Sequence, residues 1–136
     1  MVIYSACDDF HQWATSQSAA LRGGRAGPVD GRGIAETLDR LVREEIDKAR
    51  TLVRHVLSAI AEHEFGPPEG RNRALARAAR GVARLGRVIT PTMAARVKPE
   101  MGELWMSATA GIGGCCPRKC PHAWDDVFGG GPRFPR

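Results

Sequence analysis

"IAETLDRLVREEIDKARTLVRHVLSAIAEHEF", residues 34–65, contains neither glycine nor proline, and its apolar residues return at steps of three and four. Ile34, Leu38, Leu41 or Val42, Ile46, Ala49, Val53, Val56 and Ile60 fall on one side of a 3.6-residue repeat, the signature of an amphipathic helix. At 1.5 Å per residue this helix would be about 45 Å long, and the rest of a chain of 136 residues must be arranged around it. Its polar side offers opposite charges four apart, Asp39 with Arg43 and Glu44 with Lys48, each pair worth about 0.2–0.5 kcal/mol.

"GPPEG", residues 66–70, breaks that helix and reverses the chain. The next stretch, "RNRALARAARGVARLGR", residues 71–87, predicts a second helix from about Asn72 to Ile89. Arg73, Arg77, Arg80, Arg84 and Arg87 fall within a sector of about 80° on its wheel, while Leu75, Ala79, Val82, Leu85 and Ile89 gather on the other side. A short connection favours antiparallel neighbours, so the two helices should form a hairpin with the arginines facing away from it.

Outward from the hairpin, Ser5 is placed to cap a first helix carrying Phe10, Trp13, Ala14 and Leu21 and ending near Arg22. "GGRAGPVDGRG", residues 23–33, reads as a loop. Thr90 before Pro91 opens a short helix, and Pro99 restarts another with Met101, Leu104, Trp105 and Ala108 as its buried stripe. Beyond Gly111 the glycines, prolines and cysteines argue against regular structure, and the segment from Gly129 to Arg136 reads as mobile on its own. The expected class is all-α: a helical domain over residues 1–110 and an irregular Cys/Pro/Gly-rich tail over residues 111–136, packed on the first helix.

The formal charge is +5 and the pI about 9.5, and Lys48, Lys98 and Lys119 are the only lysines, so the excess charge is arginine. Arginine's planar fork grips phosphate and carboxylate through paired hydrogen bonds. No stretch approaches the roughly 20 apolar residues that cross a bilayer. Asp8 and Asp9 precede any apolar run, against a secretory signal. The expectations are therefore no membrane partner, a cytoplasmic location and reduced thiols.

These features point to a basic, non-enzymatic adaptor whose Arg73, Arg77, Arg80, Arg84 and Arg87 bind a polyanion, with nucleic-acid backbone favoured over an acidic protein surface. Only Asn72 in the stripe could read a base, so binding would be directed to phosphates. In a competing arrangement, carboxylates of the long helix (Glu36, Asp39, Glu44, Glu45, Asp47 or Glu62) neutralise the stripe internally. The rival function is a protein-interaction factor, an inhibitor or assembly component of the kind common in viruses and mobile elements. Such a factor would use the arginine face and an aromatic tail, with Trp124 and Phe128 either docking on a partner or folding back on the core. Self-association through the long helix is a further expectation.

"GGCCPRKCPHAW", residues 113–124, gathers three cysteines and a histidine. Thiolates and an imidazole suit tetrahedral zinc, and Cys116, Cys120 and His122 with Cys7 or His11 could staple the tail to the first helix. Cys116 and Cys120 are separated by three residues rather than the usual two, and free thiols or a disulfide remain alternatives at this stage. Arg50 and His55 in "RTLVRH" resemble the arginine–histidine pair of HEPN-type ribonucleases, which are helical and act on phosphodiesters. The resemblance covers six residues and lacks the polar residue that usually follows the arginine. No glycine-rich phosphate loop follows a strand.

Overall fold

The computed structural model describes residues 9–23, 28–113 and 115–129, most of them helical and with no strand among them. In chain order the helices are α1 (Phe10–Leu21), α2 (Gly31–Phe65), α3 (Arg71–Val88), α4 (Pro91–Val97), α5 (Met101–Thr109) and α6 (Trp124–Phe128). Single 3-10 turns at Pro68–Gly70 and Lys98–Glu100 precede α3 and α5. The fold is all-α, as the periodicity predicts. The chain divides into two compact units, residues 1–44 and residues 45–136.

In the first unit, Asp9 caps α1 by accepting the Gln12 backbone N–H at 3.0 Å; Ser5, the expected cap, lies outside the described residues. Of the apolar residues expected on α1, only Trp13 is buried, with Phe10 stacked on it at 5.9 Å and the Arg40 guanidinium 5.2 Å above the Phe10 ring. The α2 helix begins before Ile34, because Asp30 accepts the Gly33 N–H at 3.0 Å and its own N–H donates to Gln17 Oε1 at 2.7 Å. A Cβ on Gly33 would stand 3.1 Å from the Trp13 ring, so α1 approaches closely where α2 has no side chain.

The first part of α2 departs from its apolar pattern. Leu38 and Val42 are 56% and 55% exposed and Leu41 is exposed as well, where the repeat places them in a core. Trp13 covers the side of Gly33, and no described residue of this unit covers the adjoining ridge. The expected charge pairs also differ: Arg40 lies 3.6 Å from Glu44 and Lys48 bonds Glu45 at 2.8 Å, while no ion pair joins Asp39 to Arg43.

In the second unit the stripe is buried as expected. Ile46, Ala49, Val53, Val56, Leu57 and Ile60 of α2 enter a core with Ala78 and Leu85 of α3, Val97, Met101, Leu104 and Trp105, closed by Trp124 and Val127 of α6. The pairing of α2 with α3 is antiparallel: Val56 meets Gly81, Glu62 meets Arg77, and His63 Nδ1 lies 2.9 Å from the Arg71 carbonyl. The α3 contact line is Ala74, Ala78, Gly81 and Leu85, rotated from the expected one. Leu75, Ala79, Val82 and Ile89 are only half-buried. Small residues face α2 because the backbones come close; the larger ones flank that line.

Gly81 is where this closeness can be tested. A Cβ there would stand 2.5 Å from Val56 Cγ2, a buried, branched methyl with little freedom to move. Gly81→Ala should destabilise by about 1–3 kcal/mol despite its better helix propensity. Gly86, in the same helix with nothing near its Cβ position, should gain up to about 1 kcal/mol on Gly86→Ala. Urea midpoints of the two variants should therefore move in opposite directions, and Val56→Ala should relieve the Gly81→Ala defect.

The tail is more ordered than its composition suggests. Trp124 and Phe128 pack one turn apart with tilted rings at 4.4 Å, and Asp125 and Asp126 sit in the first turn of α6, where the helix dipole favours them. Trp105 Nε1 donates to the Pro117 carbonyl at 2.8 Å and ties the cysteine loop to α5.

Candidate functional site

The arginine row owes its position to the contact line just described. With Ala74, Ala78, Gly81 and Leu85 turned toward α2, Arg73, Arg77, Arg80, Arg84 and Arg87 all emerge exposed. The row runs from Arg73 to Arg87, about 21 Å along the axis. Among the described residues, Glu62 of the long helix pairs with Arg77. Arg73, Arg80, Arg84 and Arg87 have no ion pair among the described residues. Arg71, outside the stripe, turns back to donate to the Gly66 carbonyl at 3.3 Å and closes the C-terminal end of α2.

Arg50 has a different role. Its Nε and Nη2 donate to the two oxygens of Glu100 at 2.7 and 2.8 Å, and its Nη1 to Asp47 at 2.7 Å. These hydrogen bonds, Glu100 before Asp47, push the guanidinium further above its ordinary pKa, and the bonds from Arg50 hold the Glu100 carboxyl below the usual carboxylate range. The fork thus clamps the turn before α5 onto α2. His55, the other member of the ribonuclease-like pair, is exposed on α2. Five positions correspond to about 140° around a helix, so Arg50 and His55 do not converge.

The clamp predicts an acid-side response. A carboxyl whose folded pKa is depressed contributes stability that is complete above its unfolded pKa and disappears as pH falls through the folded value. Glu100→Gln should therefore lower stability at neutral pH by about 1 kcal/mol, the upper end for a partly exposed pair. The variant's loss of stability on acidification below about pH 4.3 should be correspondingly shallower. Urea unfolding at neutral and acid pH checks both.

Among the described residues, no group of three His, Cys, Asp or Glu side chains is placed to hold an ion. Cys7 lies outside those residues, and His11 is exposed on α1. Cys115, Cys116 and Cys120 are free thiols. The Cys120 thiol donates to the His122 carbonyl at 3.3 Å, and burial pushes its pKa up. His122 Nε2 lies 2.7 Å from Glu64 Oε1, and its ring packs edge-on against Trp105 at 6.2 Å. Among the docking candidates, Trp124 is buried and Phe128 half-buried against it: both fold back on the core, because the apolar surface left open by α5 lies within reach of a short loop. The Arg50 clamp and the Glu64 contact with His122 went unpredicted, since each joins residues far apart in sequence.

A family model described as "Domain of unknown function DUF29" matches residues 4–127. The chain belongs to the DUF29 family. No curated protein and no solved structure matches it. The DUF29 match takes in α1 to α5 and most of α6, so the arginine row, the Arg50 clamp and the cysteine loop all lie within it. The DUF29 description states no activity, and the functional reading rests on the side chains themselves.

Proposed function

We propose that this protein is a basic, non-enzymatic adaptor that lays α3 along the phosphate backbone of a nucleic acid. One observation carries the reading: Arg73, Arg80, Arg84 and Arg87 stand exposed in a row with no acidic partner among the described residues, on a helix whose buried line, Ala74, Ala78 and Leu85, lies about 120° away around its axis. Like charges on successive turns oppose helix formation by about 0.2–0.5 kcal/mol per pair, and a polyanion converts that repulsion into binding energy. A row of about 21 Å matches about six phosphate steps of one strand at 3.4 Å per step. The stripe offers no bidentate base reader, which favours affinity without sequence preference.

The test is a salt titration with generic duplex DNA and single-stranded RNA. If four arginines each displace a counterion, affinity should fall about 150-fold between 50 and 200 mM salt. Binding that ignores salt, or negligible nucleic-acid binding beside salt-sensitive capture of an acidic protein, would move the function to a protein partner. Trp124 lends that alternative no support, because its ring is already buried.

A further inference from the structure

Away from the arginine row, the turn before α5, the cysteine loop and the start of α6 line a shallow cleft of about 570 Å3, broadly open to solvent. Its apolar surface is Met101, Met106, Pro99 and Trp124, with Met106 60% exposed. An unbranched thioether held open to solvent beside an indole is a wall that adapts to an aliphatic chain. Lys98, Arg118 and Lys119 also line the cleft, against the single carboxylate of Glu103. Arg118 and Lys119 are exposed and have no ion pair among the described residues, while Lys98 is 3.6 Å from Asp125 with both side chains largely in solvent.

Of the two remaining polar side chains, Cys120 is half-buried, with burial raising its thiol pKa, and the His122 ring is held against Glu64. The cleft therefore combines an uncharged apolar surface with a net cationic rim. We propose that it binds a soluble medium-chain carboxylate, the chain lying mainly on exposed Met106 and touching only the edges that buried Met101 and Trp124 leave at the cleft, and the head group meeting Arg118 and Lys119. This site is separate from the α3 row and goes beyond the nucleic-acid reading.

The experiment uses the full chain, with the Trp124 indole N–H resonance as reporter and octanoate and octanol as probes. Octanoate should shift that resonance in a saturable manner and bind at least about tenfold more tightly than octanol, which has the same chain without the charge. Arg118→Glu with Lys119→Glu should weaken octanoate by at least about tenfold and leave octanol unchanged; both side chains are exposed, so the fold should persist. Met106→Gln should weaken both probes. Equal affinity for the two probes, a response at the Trp13 indole in place of Trp124, no shift up to about 10 mM octanoate, or binding confined to anionic lipid vesicles would each overturn the proposal.

Discussion

Arg73→Glu, Arg80→Glu and Arg84→Glu combined are expected to weaken nucleic-acid binding at about 50 mM salt by at least about 100-fold and to flatten its salt dependence. All three side chains are exposed and unpaired among the described residues, so the substitutions remove charge without opening the core. The choice of positions matters for the helix. A glutamate at position 73 lies near the positive end of the α3 dipole, whereas one at position 87 would face the negative end and cost about 0.3–1 kcal/mol. Arg87 is therefore best left in place, and the circular dichroism of the triple variant should remain that of the parent.

Glu62→Gln gives the opposite expectation. It frees Arg77 from its internal partner, so binding should tighten and the salt slope should steepen by about one counterion. A structural arginine row would respond differently: the triple variant would bind as the parent does, and Glu62→Gln would change stability alone. Fluorescence anisotropy at four or five salt concentrations separates the two outcomes.

The largest effect on stability should come from Trp105→Ala. Trp105 is fully buried, sits at the centre of the second unit's core, and donates its indole N–H to the Pro117 carbonyl at 2.8 Å. Truncation should cost about 3–5 kcal/mol, a large share of the about 5–15 kcal/mol typical of a folded domain. At about 4–8 °C per kcal/mol, the melting temperature should fall by about 12 °C or more. Trp105→Phe keeps most of the apolar volume and leaves the Pro117 carbonyl without this donor, so a loss of about 1–3 kcal/mol is expected. If Trp105→Ala unfolds with the parent's urea midpoint, the core described around α5 is wrong.

What could be read in advance follows from the range of the interactions. The α2 and α3 helices were legible because their signals repeat every turn: the apolar stripe, the glycine and proline break at 66–70, and arginines at four–three–four–three spacing. Thr90–Pro91 announced α4 by purely local chemistry, and Thr90 does cap it, accepting the Met93 N–H at 3.3 Å. Five-residue α6 escaped notice because a helix that short is set by packing, here Trp124 and Val127 entering the core, and not by its own propensity. The α3 contact line was misplaced for a similar reason. Periodicity counts Ala74 and Ala79 alike, and the close approach at Gly81 selects between them.

By itself, then, the order of residues determined the helical class, the hairpin and the presence of one cationic helix face, since each depends on spacing within a few turns. Tertiary structure decided which apolar residues are buried, leaving Leu38 and Val42 in solvent while enclosing Trp124. It also decided which charges stay available: Arg50 is taken by Glu100 and Arg77 by Glu62, and Arg73, Arg80, Arg84 and Arg87 have no ion pair among the described residues. A guanidinium's partner depends on distances through space between residues that may be 50 positions apart, as Arg50 and Glu100 are, and no local pattern encodes such a distance.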